Sequence, residues 1–257
     1  MSKIYFDKSF ELRYFEMNEF GVSSPTTILT LLEETAAEHC HEIDHSLYQL
    51  ADKDKGWVLV SGIIQMERYP KYKEKITIRT WLSKYSSIKG FRENIIFDEE
   101  NNIIGRARGL WIFFDIERRR PVQIFEEIKD QWSYSSDTAL DANISKKIET
   151  IDIADSQLSF KVNRYDTDMN NHVNNVRYLQ WVVESIPDEI IDNYYLYSID
   201  GRFVSEIYYG DSIISLTKEL EELSEERKGF KYYTHTIKTT SSNKACAMAN
   251  TIWKKNT

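Results

Sequence analysis

The stretch "RYDTDMNNHVNNVRYLQWVVES", residues 164 to 185, decides the fold because the chain contains a second copy of its pattern. The earlier stretch "RYFEMNEFGVSSPTTILTLLEE", residues 13 to 34, has the same order of a polar loop followed by apolar residues at helical spacing. With an offset of 151 residues, four of the 22 positions are identical, among them Arg13 with Arg164. A large internal repeat of this kind predicts two copies of one structural unit.

The segments around the two stretches predict the same elements in the same order. In the first half, Ser24 suits the N-cap of a helix and Pro25 its first residue. In the second half, Asn174 or Asn175 caps a helix that ends before Pro187. Segments rich in β-branched and aromatic residues follow each helix, and short turns such as "EENN" and "SSNK" favour antiparallel pairing.

The predicted fold class is α+β, with two tandem hotdog domains that each pack a long central helix against an antiparallel β-sheet. We predict the first domain over residues 1–128 and the second over residues 157–257. The stretch between them, residues 129–156, is acidic and contains several serines, so we predict a solvated linker.

The composition limits the class of protein. A chain of 257 residues with 41% hydrophobic residues can bury a core, and a net charge of −8 argues against a nucleic-acid-binding protein, which needs a basic face. No apolar run approaches the roughly 18 residues of a membrane span, and the N-terminal "MSKIYFDKSF" lacks the apolar core of a secretory signal. Cys40 and Cys246 have no disulfide-framework spacing. The predicted location is therefore the reducing cytoplasm, without membrane insertion.

Within the repeat, "DMNNHVNNVRYLQW" at residues 168 to 181 resembles the signature Asp-x-Asn-x-His-Val-Asn-Asn-x-x-Tyr of the acyl-acyl carrier protein (acyl-ACP) thioesterases of plant plastids and bacteria. Shorter matches extend the resemblance over nearly the whole chain; they are "GWVL" at Gly56, "RYP" at Arg68, "TW" at Thr80, Trp111 and "RRP" at Arg119. The resemblance implies a thioester hydrolase of fatty acid biosynthesis that releases free fatty acid from acyl-ACP. It also implies acyl carrier protein as the partner, and no metal or organic cofactor.

The resemblance further implies the residues of the active site. Asp168, Asn170 and His172 match the active-site positions of the family, and Glu206 in "RFVSEIYYGDS" matches its glutamate 34 residues beyond the histidine. We expect Glu206 to activate the hydrolytic water as a general base and Asp168 to orient the network. Asn170 and His172 would position the water and polarise the thioester carbonyl. Because residues two apart on an extended loop point the same way, the three signature residues are expected to face one pocket.

The start of the second helix offers backbone donors for the reaction. Helix N-termini carry unpaired N–H groups and the positive end of the helix dipole, so the backbone amides of His172 and Val173 are expected to hold the oxyanion. Many plant members of the family carry a cysteine after the glutamate, whereas this chain has Ile207. Water is therefore expected to attack the thioester directly, without a covalent cysteine intermediate.

The repeat predicts one site per chain. With the offset of 151 residues, Met17, Glu19 and Gly21 stand opposite the three signature residues, and "GIIQME" matches "GRFVSE", which places Glu67 opposite Glu206. Only the second half would then carry the chemistry, and the resemblance implies that the first half houses the acyl chain.

Several alternatives stay open. The polar cluster could be only a capping loop, because Asp and Asn favour such loops. The same scaffold could instead hydrolyse acyl-coenzyme A, or bind acyl groups without catalysis. Hotdog folds often pair, so a homodimer is a further candidate assembly, although the internal duplication could already satisfy that pairing.

Two further clusters contain residue types found in binding sites. "ERRRP" is most simply a solvated turn, but Arg118 and Arg119 are a hypothetical docking site for the acidic carrier protein. His41 and His45 could share a helix face, but no other histidine or cysteine has the spacing to complete a metal site, so none is predicted.

Overall fold

The chain divides into two units, Met1–Ser145 and Lys146–Thr257. The structure, a computed structural model, describes residues 4–169, 171–220 and 229–256. The predicted catalytic residue Asn170 therefore lies outside the described residues.

Unit 1 contains a five-stranded antiparallel sheet in the order β1-β3-β4-β5-β2, and a short strand β6 pairs with β5. Its elements are β1 (Phe6–Glu11), a 3-10 turn (Tyr14–Glu16), α1 (Pro25–Glu42), α2 (Leu47–Ala51), β2 (Lys55–Met66), β3 (Lys75–Tyr85), β4 (Lys89–Phe97), β5 (Ile103–Asp115), β6 (Arg120–Pro121) and α3 (Glu126–Gln131).

Unit 2 repeats this topology, with its strands in the order β7-β9-β10-β11-β8 and all neighbours antiparallel. Its elements are β7 (Ser156–Lys161), a 3-10 turn (Arg164–Asp166), α4 (Asn175–Glu184), α5 (Asp188–Asn193), β8 (Tyr194–Phe203), β9 (Ser212–Leu220), β10 (Phe230–Thr239) and β11 (Ala245–Lys255). The predicted α+β class with two tandem hotdog units is confirmed, although α4 spans only 10 residues against the 18 of α1.

Each helix packs through the apolar face that its sequence predicts. Ser24 caps α1 by accepting a hydrogen bond from the Thr27 N–H, as predicted. In unit 2, Trp181 and Val182 of α4 join a buried cluster with Ile213 and Ile237 of the sheet. Each fully buried aliphatic side chain of this kind stabilises the fold by about 1.5–3 kcal/mol.

The predicted linker is not solvated along its length. In the segment 132–155, Ile144 and Ile148 are buried, with 1% and 6% of their surface exposed. The Trp81 indole N–H of β3 donates to the backbone carbonyl of Asp137 in this segment over 2.9 Å. The acidic and serine-rich composition was misleading, because a few apolar residues spaced among the polar ones fix the segment on the units.

The structure also corrects the register of the repeat. The N-cap Asn174 follows its counterpart Ser24 by 150 residues, and the strands and 3-10 turns that precede the caps show the same spacing. The predicted offset of 151 residues is therefore wrong by one. It rested partly on aligning Arg13 with Arg164, but both are exposed, so their identity does not constrain the backbone. The turn and the cap fix the register instead.

A buried polar network ties the end of α4 to the sheet of unit 2. His235, which is fully buried, bonds through Nδ1 to the Thr217 hydroxyl and through Nε2 to the Thr251 hydroxyl, both over 2.8 Å. Thr217 in turn bonds to the hydroxyl of Ser185, the C-cap of α4, over 2.7 Å. Burial lowers the pKa of His235 to about 3, so its ring is neutral at physiological pH.

Acid should therefore destabilise the protein through His235. The unfolded histidine binds a proton near pH 6.5, whereas the folded one stays neutral until about pH 3, so this contribution is present above pH 6.5 and is lost as the pH falls. From pH 7 to pH 5 the loss in the free energy of unfolding amounts to about 2 kcal/mol. Urea unfolding at both pH values should show this loss in the wild type and in a variant of the exposed His41, H41Q. It should be smaller by that amount in H235Q; equal losses in all three proteins would contradict the assignment.

Candidate active site

The signature stretch forms a tight hairpin turn rather than an extended loop. The Asn171 N–H donates to the Asp168 carbonyl over 3.0 Å, and the Asp168 N–H donates to the His172 carbonyl over 2.9 Å. Asn171 has a φ of 60°, in the left-handed region that asparagine tolerates better than most residues. The expectation that alternate residues point one way on an extended loop is therefore wrong, because the turn reverses the chain.

Part of the polar cluster has a structural role. Asn174 is the N-cap of α4, and its side-chain oxygen accepts from the Val176 N–H over 2.8 Å. Together with Asn171 in the turn, it accounts for two of the four asparagines by local backbone geometry. The capping interpretation is confirmed for Asn174, whereas it gives His172 no role.

The fold brings Glu206 to His172. Glu206 lies three residues beyond the end of β8, in the connection to β9. The Val173 N–H donates to the Ile207 carbonyl over 2.9 Å, so that the turn and the connection run side by side. As a result, His172 Nε2 lies 3.6 Å from Glu206 Oε2.

Tyr208 joins His172 and Glu206 in a group of three side chains. The sequence did not predict Tyr208 as a site residue. Its hydroxyl donates to Glu206 Oε2 over 2.7 Å, and its ring packs edge-on against the His172 ring at a centroid distance of 5.1 Å. The backbones of His172 and Tyr208 face each other in an isolated antiparallel bridge. The only sequence signal is the spacing of two from Glu206, which places both side chains on one side of an extended segment.

The site is partly open to water. The side chains of His172 and Glu206 keep 25% and 36% of their surface exposed. Even a pair of opposite charges with this exposure contributes at most about 1 kcal/mol, so stability alone does not explain the contact. Beneath it lies Tyr178 of α4, whose pKa is raised by burial and by the charges of Cys246 and Glu206.

Of the two backbone N–H groups expected to hold the oxyanion, one already has an acceptor in the protein. The Val173 N–H is engaged by Ile207, so its assignment as an oxyanion donor is wrong in this structure. Within the described ranges, no backbone carbonyl accepts a hydrogen bond from the His172 N–H. His172 therefore supplies the candidate donor at this point of the chain.

Neither cysteine is placed to act as a nucleophile. Cys40 and Cys246 are free and buried, and burial raises the pKa of both thiols. A nucleophilic cysteine needs a depressed pKa and access to the substrate. Ile207, which follows Glu206, is fully buried in the core of unit 2.

The corrected register also changes the counterparts in unit 1. Asn18 and Val22, rather than Met17 and Gly21, stand at the positions of Asp168 and His172, and the same two backbone bonds close the turn. Phe20, rather than Glu19, takes the sequence position of Asn170.

A different offset applies after the helices. β2 and β8 end 137 residues apart, and the Ser23 N–H donates to the Pro70 carbonyl as the Val173 N–H does to Ile207. The counterpart of Glu206 is therefore the buried Tyr69, not Glu67.

The remaining predicted residues lie elsewhere. Arg118 and Arg119 are exposed in the turn between β5 and β6, where the Arg118 N–H donates to the Asp115 carboxylate over 2.8 Å. Among the residues that the structure describes, no three histidine, cysteine or carboxylate side chains are grouped to hold a metal ion, and this includes His41 and His45. None of the described helices is both long and apolar enough to cross a membrane.

Solved structures share this fold. An acyl-ACP thioesterase from Bacteroides thetaiotaomicron superposes with a TM-score of 0.84 at 19% identity, covering 97% of this chain and 98% of that one. The 12:0-ACP thioesterase from Umbellularia californica gives 0.86 at 19% identity, covering 100% and 99% of the two chains.

Proteins related to this chain in sequence are also named as acyl carrier protein thioesterases. An oleoyl-acyl carrier protein thioesterase 2 of Arabidopsis thaliana is 29% identical over 82% of this chain, and an oleoyl-acyl carrier protein thioesterase of Coriandrum sativum is 28% identical over 84%. This chain spans 62% and 63% of the length of these chloroplastic proteins.

The sequence profile of the acyl-ACP thioesterase N-terminal domain matches residues 3–132, and that of the acyl-ACP thioesterase C-terminal domain matches residues 149–255. With both domains matched in order and together covering most of the chain, the protein belongs to the acyl-ACP thioesterase family.

Proposed function

We propose that this protein hydrolyses acyl-ACP thioesters and releases free fatty acid, the reaction that ends fatty acid synthesis. Family membership supports the substrate class. The observation that carries the mechanism is the 3.6 Å distance between His172 Nε2 and Glu206 Oε2, at a point where the half-buried pair is open to water.

Glu206 is the general base in this mechanism. A water molecule held beside the carboxylate and His172 loses a proton to Glu206 as its oxygen attacks the thioester carbonyl carbon. The tetrahedral oxyanion then collapses and breaks the C–S bond, and Glu206 returns the proton to the leaving thiolate. A positioned base of this kind is worth about 10² to 10⁴ in rate, and the thiol needs little help to leave.

The turn before α4 positions the other groups. The His172 N–H is the proposed oxyanion donor, and one such donor is worth roughly 3 kcal/mol of transition-state stabilisation. Asp168 holds the turn through its backbone bond to His172, and we assign its carboxylate the role of orienting the network. The carboxamide of Asn170, which lies outside the described residues, is assigned together with His172 to positioning the water and polarising the carbonyl.

The acyl chain and the carrier belong to this proposal as well. We assign the acyl chain to unit 1 and the chemistry to unit 2, since unit 1 has Asn18, Val22 and Tyr69 where unit 2 has its acid–base residues. The carrier protein is the proposed partner. A cytoplasmic location, predicted in part from two cysteines that prove to be free thiols, and a homodimer both stay predictions.

Removing the base should abolish most of the turnover. We expect E206Q to lower kcat on acyl-ACP by about 10² to 10⁴, because the neutral amide cannot accept the proton of the water. Gas chromatography of the fatty acids released from defined acyl-ACP substrates measures this, with acyl-coenzyme A assayed in parallel. E67Q, a change at an exposed glutamate of unit 1, is the matched control and should keep full activity.

The outcomes separate the alternatives. An E206Q enzyme with undiminished kcat would remove the proposed base. Turnover of acyl-coenzyme A alone would favour the coenzyme A thioesterase, and stoichiometric binding of acyl-ACP without turnover would favour the non-catalytic acyl-binding protein.

Direct attack by water predicts that the thiols are dispensable. A C40A/C246A double variant should keep kcat within about threefold of the wild type, far from the effect of losing a catalytic group. Circular dichroism checks that the variant is folded, since both thiols are buried. Loss of all turnover in a folded double variant would replace direct attack by a covalent route.

The exposed arginine turn gives a docking prediction. An R118E/R119E variant should raise KM for acyl-ACP at low salt by several-fold and leave kcat unchanged, because the acidic carrier would meet a like charge. A K71E/K75E variant makes the same change in net charge at exposed residues near the other end of the strands of unit 1 and should leave KM unchanged. Equal KM values for the wild type and R118E/R119E would discard the docking site.

A further inference from the structure

We propose, on the basis of the proposed function, that Tyr208 is a positioning residue that holds the Glu206 carboxylate beside His172 through its hydroxyl. The hydroxyl donates to Glu206 Oε2 over 2.7 Å, and the same oxygen lies 3.6 Å from His172 Nε2. One carboxylate oxygen is therefore held between the phenol and the imidazole.

Tyr208 is itself held on two sides. Its N–H donates to the Asp211 carboxylate over 2.9 Å, within the same connection. Its backbone faces that of His172 across the bridge, and its ring lies edge-on to the His172 ring at an interplanar angle of 79°. The hydroxyl is thus placed by backbone and ring contacts that do not depend on Glu206.

The neighbouring tyrosine shows that this placement is specific. Tyr209 has the same side chain one residue later, but Arg164 lies over its ring at 4.5 Å and 53% of its surface is exposed. Tyr209 lies in the turn that the Asp211 N–H closes on the Tyr208 carbonyl, so the two phenols face different surroundings. Tyr209 is therefore a matched control for Tyr208.

A phenol at this position affects both orientation and charge. A carboxylate on a freely rotating side chain samples several rotamers, and a hydrogen bond of 2.7 Å selects the one that faces His172. A hydrogen bond donated to the ionised form also stabilises that form, so the base stays charged to lower pH. Among the other titratable groups nearby, Tyr178 of α4 interacts electrostatically with Glu206 and also with Asp211 and Cys246, and Asp168 lies in the same turn as His172.

The test compares Y208F with Y209F. Y208F removes only the hydroxyl and keeps the ring contact with His172. We expect kcat on acyl-ACP to fall about 10- to 100-fold, the range expected for a lost hydrogen bond to a charged group, with KM unchanged because the hydroxyl contacts Glu206. The acid limb of the pH profile of kcat/KM should move to higher pH, because the ionised carboxylate loses its donor. Y209F should match the wild type in all three quantities.

A second measurement keeps this inference separate from the proposed function. The ring ¹⁵N chemical shifts of His172, assigned by comparison with H172Q, should change in Y208F and stay the same in Y209F, whether or not the protein turns over acyl-ACP. If the wild type shows no hydrolysis but the shifts change as stated, the function fails and the positioning role stands. Unchanged His172 shifts in Y208F, or an unchanged kcat and pH profile in an active enzyme, would overturn the positioning role.

Discussion

The backbone hydrogen bond from the Val173 N–H to the Ile207 carbonyl is the interaction on which the site depends. It joins the turn before α4 to the connection after β8, two segments more than thirty residues apart in sequence. The bond itself contributes only about 1 kcal/mol, but Val173 and Ile207 are both buried, and their apolar contacts hold the two segments together. Once Val173 and Ile207 are in place, their neighbours His172 and Glu206 are brought within reach of each other on the open side.

Unit 1 shows which residues this arrangement requires and which it does not. It builds the same turn with Asn18 and Gly21, the same capped helix with Ser24, and the same backbone bond from Ser23. Yet its counterpart of His172 is Val22. The hotdog backbone therefore needs a residue that tolerates the left-handed region and a capping side chain, but it needs neither a histidine nor a carboxylate. His172 and Glu206 of unit 2 are therefore additions to a backbone arrangement that unit 1 forms with Val22 and Tyr69 in their places.

Residue patterns predicted the parts of the fold that depend on local physics. Ser24 and Pro25 marked the start of α1, and the β-branched segments marked the strands, because capping and strand propensity act over a few residues. The approach of Glu206 to His172 was reached through the family signature, since nothing in the composition of either segment encodes a contact at that separation. The repeat offset was predicted wrongly by one residue because it aligned Arg13 with Arg164. Both side chains are exposed, so their identity places no constraint on the backbone.

Tertiary contacts explain what the sequence missed in the site. Val173 was expected to be a free donor because helix N-termini leave N–H groups unpaired, but the connection after β8 supplies the Ile207 carbonyl as an acceptor. The sequence did not predict Tyr208 as a site residue, because a tyrosine two residues before a glycine is typical of a turn, and only the structure shows its hydroxyl on Glu206. Asn171 belongs to the same polar cluster, and its positive φ accounts for an asparagine at that position.

The segment 132–155 has a consequence for how this chain can be shortened. The buried carboxylate of Glu93 in β4 accepts a hydrogen bond from the Ala139 N–H, and the Trp81 indole donates to Asp137. A fragment cut immediately after α3 would strip an acceptor and a donor from two side chains inside the first sheet, and it would also lose Trp132, which is buried in the core of unit 1. The first part of the segment 132–155 therefore belongs to the core of unit 1, and a fragment that lacks it would be destabilised.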